Sequence, residues 1–182
     1  MTEEVKPQIG NVVKIVIKDK EQLFNSLDPS PFIEKDLDDD AVDYLVTSFN
    51  EFDLAAKVKI LIQIPTSEKG KFEEKEIKDS IKNFFIYQNG LEEDKIELKI
   101  KEGQKSMVIG LSFLTVCLLT REFLLTLTSN IVWRMISEAL LIFSWVAMWK
   151  PISNILYDWW PMRQTQKIYD KISKSEIEFI YY

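Results

Sequence analysis

The sequence has no histidine among its 182 residues, which removes the side chain that most often serves as general base and zinc ligand. Cys117 is the single cysteine, so an intramolecular disulfide is excluded. Glycine-rich phosphate loops, paired cysteines and serine-nucleophile motifs are missing as well. We therefore expect a protein that is not an enzyme and that carries no cofactor and no catalytic metal ion.

Charge divides the chain into two parts. Residues 1–98 carry 13 basic and 22 acidic side chains, a net charge of −9, whereas residues 99–182 carry 10 basic and 7 acidic side chains, a net charge of +3. Nucleic-acid binding requires a basic face, and the first part has none. We predict an acidic soluble domain there, with no nucleic-acid partner.

The patterns in the first 98 residues favour a mixture of strands and helices. β-Branched alternation predicts strands at 12–18 and 57–64. Asp38 is placed to cap a helix with an apolar face, and a second helix is predicted from about 73 to 87. Residues 92–106 fit a strand or a helix, and helix is the favoured prediction.

Two apolar stretches follow, at about 107–125 and 131–149. Each approaches the roughly 20 residues that a helix needs to cross the bilayer core. The five residues between them, TLTSN, are enough only for a turn. We predict a transmembrane hairpin within residues 99–150; the alternative is the buried core hairpin of a soluble protein.

Four charged residues interrupt these stretches: Arg121, Glu122, Arg134 and Glu138. With a turn near Thr128–Ser129, Arg121 lies at the depth of Glu138, and Glu122 at the depth of Arg134. Opposite charges at matched depth favour structural pairing close to one end of the hairpin. The alternative is an ion or proton path.

Basic residues flank the hairpin, and its loop has none. They are Lys99, Lys101 and Lys105 before it, and Lys150, Arg163, Lys167, Lys171 and Lys174 after it. The positive-inside rule therefore predicts a multi-pass protein of the inner (plasma) membrane with both termini in the cytoplasm. The N-terminal MTEEVKPQIG has no apolar core, so we expect no cleaved signal peptide there.

Aromatic residues concentrate where the second stretch ends. Apolar residues after Pro151 recur at helical spacing, and Pro151 and Pro161 are predicted to delimit a short interfacial helix at 151–161. Rings that carry one polar atom prefer the headgroup level of a bilayer. We predict a membrane anchor, with an aromatic ligand pocket as the alternative; the anchoring residues are Trp145, Trp149, Tyr157, Trp159 and Trp160.

Residues 162–182 predict a cytoplasmic helix followed by a strand at 176–181. A lone strand is not stable, so this strand is expected to join the sheet of residues 1–98. The predicted fold class is α+β: one small cytoplasmic sheet-plus-helix domain into which the transmembrane hairpin and the interfacial helix are inserted.

Two acidic segments have alternative interpretations. The run Asp36, Asp38, Asp39 and Asp40 offers oxygen ligands for a divalent cation, but a solvated helix start is the favoured interpretation. Asp28, Ser30 and Glu34 fit a polar cluster at the membrane face of the domain, yet turn chemistry is sufficient to explain DPSP.

The chain resembles a family of small, uncharacterised bacterial and archaeal membrane proteins with two spans. The resemblance is carried by the DPSPF segment, the hairpin and a W-x-P-x-x-x-x-LYDWWP block. The residues that match this block are Trp149, Pro151, Leu156, Tyr157, Asp158, Trp159, Trp160 and Pro161. The resemblance implies two transmembrane helices and a cytoplasmic domain, and it brings no catalytic residues.

The expected function is that of an integral membrane protein whose cytoplasmic domain docks a protein partner or assembles into a homo-oligomer. The alternative is a subunit of an oligomeric channel or transporter whose path is lined by the four charged residues. A membrane-bound enzyme is the third possibility, disfavoured by the missing histidine.

Overall fold

The computed structural model describes residues 11–30, 35–127 and 130–182, and it has a mixed fold that is mostly helical. The three strands are β1 (Val12–Val16), β2 (Lys59–Ile64) and β3 (Glu176–Tyr181). The four α-helices are α1 (Asp39–Asn50), α2 (Glu74–Leu127), α3 (Ile131–Leu156) and α4 (Trp160–Ser173). The described residues form two compact units: unit 1 contains those up to Glu92 together with Gln164–Tyr182, and unit 2 is Glu93–Arg163.

The sheet of unit 1 is parallel, in the order β1-β2-β3. Ile62 in the central strand lies opposite Ile15 on one side and Phe179 on the other. The three predicted strands are confirmed, including the C-terminal one. Parallel neighbours require long crossover connections, and the connection from β2 to β3 contains α2, α3 and α4.

One face of the sheet packs against helices and forms the core of unit 1. Because successive side chains of a strand point to opposite faces, Ile60, Ile62 and Ile64 of β2 all lie on this face, where they are fully buried. Apolar stripes on three helices cover them: Leu45 and Phe49 of α1, Ile77, Ile81 and Phe85 of α2, and Ile168 and Ile172 of α4. As predicted, Asp38 caps α1, since its carboxylate accepts the Asp40 N–H at 3.0 Å.

The other face of the sheet, which we call the open face, has nine residues, and none of them is buried. They are Val12, Lys14 and Val16 of β1, Lys59, Leu61 and Gln63 of β2, and Glu176, Glu178 and Ile180 of β3. Parallel sheets are normally covered on both faces. This sheet is therefore covered on one side only in the described part of the chain.

Polar contacts fasten β3 at the edge of the sheet. The Lys59 ammonium contacts the carboxylates of Glu176 at 2.8 Å and Glu178 at 2.9 Å, and these two hydrogen bonds raise the pKa of Lys59 to about 12. The Tyr181 hydroxyl donates to Glu74 Oε1 at 2.9 Å, which ties the strand to the start of α2.

Helix α2 is far longer than the helix expected at 73–87. Residues 92–106 are helical, as favoured, but the predicted end near 87 is wrong, because the helix continues through Gly90 and Gly103 into the apolar stretch. A single glycine costs a helix only about 1 kcal/mol and does not end it. Ion pairs one turn apart, Glu97 with Lys101 and Lys99 with Glu102, support the polar middle of α2.

Candidate functional site

The apolar part of unit 2 is the candidate functional site. In the described chain, two helical stretches are long and apolar enough to cross a membrane, by length and composition: one within Glu74–Leu127 and one within Ile131–Ser173. Only 11% of the first apolar window and 17% of the second is buried. The predicted turn at Thr128–Ser129 lies outside the described residues, and Asn130 caps α3 by accepting the Val132 N–H at 2.9 Å.

The buried positions of this unit are occupied mostly by small or polar residues. On α2 they recur every seven residues as Ile96, Gly103, Gly110 and Cys117; on α3 the positions 137, 144 and 151 are Ser, Ser and Pro. The hydroxyls of Ser137 and Ser144 donate to carbonyl oxygens one turn earlier in α3, so they are satisfied within the helix. A seven-residue period is that of helices packed side by side along one seam.

Of the two glycines in this seam, Gly110 has the tighter surroundings. A Cβ atom added there would lie 3.0 Å from both Met148 Sδ and Pro151 Cγ. At Gly103 an added Cβ would lie 3.2 Å from Ile155 Cγ1. Small residues at such positions allow helix backbones to approach closely. Sequence reasoning missed this seam, although the seven-residue spacing of its small residues is visible in the sequence.

The four charged residues of the apolar stretches are only partly paired as predicted. Arg121 contacts Glu138, with 3.2 Å between Nη2 and Oε1, so this predicted pair is present. Glu122 is joined instead to Arg121, its neighbour in sequence, at 2.7 Å. Among the described residues no ion pair links Glu122 to Arg134, which is exposed, so that predicted pair is wrong. One guanidinium offers donors to two carboxylates at once, which leaves Arg134 outside the cluster.

This cluster is not fully satisfied within unit 2. The Nε of Arg121 is buried and has no hydrogen-bond partner. By contrast, the carboxylate-bearing side chains of Glu122 and Glu138 are 69% and 60% exposed. The cluster therefore presents two acidic side chains on the outer surface of a mostly apolar helix pair.

The interfacial helix predicted at 151–161 does not exist as a separate element. Helix α3 continues through Pro151 to Leu156, and Pro161 lies in the first turn of α4. Pro151 removes one backbone donor, yet α3 continues through it, and its buried ring packs against Gly110. Pro161 needs no helical donor in a first turn. The prolines therefore lie on either side of a short break at residues 157–159.

Four of the five predicted anchoring residues are exposed: Trp145, Trp149, Tyr157 and Trp160. Trp159 is partly buried, and its indole N–H donates to the Ile155 carbonyl oxygen at 2.8 Å. These aromatic residues surround the end of α3 and the start of α4.

Asp158, in the break between the two helices, contacts side chains of α3. Its carboxylate contacts Lys150 Nζ at 2.8 Å and accepts from the Ser153 hydroxyl at 3.2 Å. The hydrogen bond from Lys150 lowers the pKa of Asp158 below its usual value, and the hydrogen bond from Ser153 has a smaller effect in the same direction. The acidic residue of the LYDWWP block thus connects the chain after the break to the last turns of α3.

A shallow groove of about 390 Å³ lies on unit 2. Its lining residues are Ser106, Ile109, Gly110, Phe113, Ala147 and Pro151. None of the tryptophans lines it, so this groove is not the aromatic ligand pocket considered as an alternative.

The acidic segments of unit 1 perform local structural roles. Asp28 accepts the N–H groups of Ser30 at 2.9 Å and Asp36 at 2.7 Å, and these bonds lower its pKa. This is the turn chemistry expected of DPSP; Glu34, the third member of the proposed cluster, lies outside the described residues. Within residues 11–30, 35–127 and 130–182, no group of three or more acidic or cysteine side chains is arranged to hold a metal ion.

Comparison of the chain with family models, with curated proteins and with solved structures found no match. The resemblance to a family of two-span membrane proteins therefore stays a prediction based on the quoted residues.

Proposed function

We propose that this is an integral membrane protein in which the apolar parts of α2 and α3 cross the bilayer and unit 1 is a cytoplasmic domain. The observation that carries the proposal is the reversed distribution of side chains in unit 2. Large apolar residues such as Ile109, Phe143 and Val146 are 64–70% exposed, whereas the seam between the helices contains glycine and serine.

Water is a poor solvent for such a surface. Burying one large apolar side chain is worth about 1.5–3 kcal/mol, and soluble monomers rarely expose apolar patches of more than a few hundred Å². In a bilayer the same side chains contact lipid tails, and packing of small residues holds the helices together. The core hairpin of a soluble protein is disfavoured, since its apolar residues would be mostly buried.

Flanking residues support an orientation with both termini in the cytoplasm. Basic residues lie before the first span and after the second, and the loop at 126–130 has none. The exposed Trp145 and Trp149 lie at the end of the second span, where headgroup-level rings are expected.

Topology mapping tests this proposal. Reporter fusions at residues 1 and 182 are expected to behave as cytoplasmic, and a cysteine at Ser129 in a Cys117→Ser background is expected to react with an impermeant reagent added from outside. The protein is also expected to stay in the membrane pellet in alkaline carbonate. Its release by carbonate would overturn the proposal.

The biochemical role that we propose is protein docking or self-assembly through unit 1, without catalysis. Support comes from the open face of the sheet: within the described residues none of its nine side chains is buried, whereas parallel sheets are normally covered on both faces. Cross-linking of the protein in native membranes, followed by mass spectrometry, is expected to recover either its partner or a second copy through residues of unit 1.

A channel or transport subunit is the second candidate, favoured by the exposed carboxylates of Glu122 and Glu138. Replacing both Arg121 and Glu138 by Met separates the two candidates. If Arg121 and Glu138 form a structural pair, the double variant is expected to fold, and liposomes that contain the wild type or the double variant are expected to conduct no ions. If the wild-type protein supports an ion flux that the folded double variant lacks, the channel candidate replaces the docking role.

A further inference from the structure

We propose that the open face of the sheet is a self-association surface, which binds the open face of a second copy related by a two-fold axis parallel to the strands. This inference deepens the proposed role of unit 1 and rests on it. The surface is defined by the register of three strands, and the occupant is identified by the charged and apolar side chains on that surface.

The register arranges the nine residues in three rows across the sheet. The rows are Val12–Lys59–Glu176, Lys14–Leu61–Glu178 and Val16–Gln63–Ile180. Basic charge lies on β1 and β2, and acidic charge lies on β3. The open face therefore has a charge gradient across its strands.

A two-fold axis along the strands places β1 of one copy over β3 of the other and keeps each row opposite the same row. Lys14 then faces Glu178 of the second copy, and Val16, 64% exposed, faces Ile180, 43% exposed. Leu61 meets its own copy at the axis. Gln63 also meets its copy, and two amides can exchange hydrogen bonds.

An axis across the strands gives a poorer arrangement. It places β1 over β1 and β3 over β3, so that Lys14 approaches a lysine and Glu178 approaches a glutamate. Like charges brought together are unfavourable, and the charge gradient therefore selects the axis along the strands. In that arrangement Lys59 meets its copy, but each Lys59 lies in a group with Glu176 and Glu178 whose net charge is −1, so Lys14 of the second copy faces a group that is acidic overall.

The size of the surface indicates where association occurs. Three strands about 4.8 Å apart and some 17–20 Å long present roughly 250–300 Å², well below the roughly 800 Å² per partner of a stable interface. The contact alone is weak. Two copies held in one membrane have a high effective concentration, which allows a weak contact to form.

Engineered cysteines test this inference in the full-length protein, reconstituted in liposomes in a Cys117→Ser background. Two sheets packed face to face lie about 10 Å apart, beyond the 7 Å limit for a disulfide, so the test uses a thiol cross-linker with a span of about 10 Å. Leu61→Cys, which meets its own copy at the axis, is expected to give cross-linked dimers at least five times more than Lys14→Cys, whose two copies are also displaced sideways by two strand spacings. Because each copy has one open face, dimers rather than longer ladders are expected.

A graded change of charge at Lys14 tests the same arrangement without disturbing the Lys59 contacts. Non-covalent association, measured by energy transfer between labelled copies in liposomes, is expected to fall with Lys14→Gln and to fall further with Lys14→Glu. Lys75→Glu, on α2 and away from the sheet, is expected to change nothing, and circular dichroism identifies any variant that does not fold.

Four results would overturn the inference: no cross-linked dimers, equal cross-linking by Leu61→Cys and Lys14→Cys, association that is insensitive to Lys14, or an open-face cysteine that is protected from labelling in monomers. The membrane proposal fails separately, by carbonate extraction, whatever the cross-linking result.

Discussion

At the scale of single residues, the glycines of α2 differ sharply in their surroundings. Gly90 has no atom within 4 Å of the position of an added Cβ, whereas Gly110 has two at 3.0 Å. One of those two atoms belongs to the rigid ring of Pro151 and cannot move aside as a flexible chain would. The same substitution is therefore expected to have opposite effects at these two sites.

We predict that Gly90→Ala stabilises the protein and Gly110→Ala destabilises it. Alanine at an open helical position gains about 0.5–1 kcal/mol, whereas overpacking costs about 1–3 kcal/mol. Thermal unfolding of both variants in the same detergent measures the difference, and Gly103→Ala is expected to fall between them because its nearest contact is 3.2 Å. Equal effects at Gly90 and Gly110 would contradict the close helix approach.

At the scale of elements, strand β3 depends on charge for part of its attachment to the sheet. Lys59 has a raised pKa, so its contribution to stability is complete below its ordinary value of 10.5 and is lost as the pH rises through about 12. The hydrogen bond from Lys59 lowers the pKa of Glu176, so its contribution is complete above 4.5 and is lost as the pH falls through the lowered pKa.

We therefore predict that Lys59→Met lowers the unfolding temperature most between about pH 5 and pH 10, and that the variant and the wild type converge at both extremes. Circular dichroism of the full chain across this range measures the difference. A constant difference at every pH would show that Lys59 acts through packing and not through its charge.

The strands were predictable from sequence because alternation of apolar residues is a local signal, as in Ile60, Ile62 and Ile64. Their parallel order was not, because it depends on crossover connections that no local pattern encodes. The end of α3 was mispredicted for a related reason. Proline ends a helix by default, whereas α3 continues through Pro151, whose ring packs against Gly110, and no local pattern encodes that contact between residues distant in sequence.

The charge cluster illustrates the same limit within the candidate site. Matching depths along two antiparallel helices predicted the Arg121–Glu138 pair, since that argument needs only the position of the turn. It could not predict that Arg121 also contacts Glu122, because this depends on side-chain direction around each helix.

At the scale of the whole molecule, the chain passes from unit 1 into unit 2 once and returns once, so a single linker can replace unit 2. The strands of unit 1, the start of α2 and most of α4 lie outside Glu93–Arg163. The two ends where unit 2 is connected are close together, because the Gln166 side chain donates to Asn89 Oδ1 at 3.3 Å. A linker of about eight Gly/Ser residues spans roughly 15 Å, which is enough to join Glu92 to Gln164.

We predict that replacing Glu93–Arg163 by such a linker yields a protein that is soluble without detergent and keeps the three-stranded sheet. The core residues of this sheet, including Ile62, Phe85 and Ile172, are all retained in the shortened chain. A matched control lacks residues 176–182 in addition and therefore loses β3; it is expected to be digested at least tenfold faster by protease, because a two-stranded sheet is only marginally stable. Circular dichroism and proteolysis measure both outcomes. If the shortened protein aggregates or lacks strand signal while the full-length protein folds in detergent, unit 1 needs unit 2 to fold, and the description of the molecule as a sheet domain with an inserted apolar hairpin is wrong.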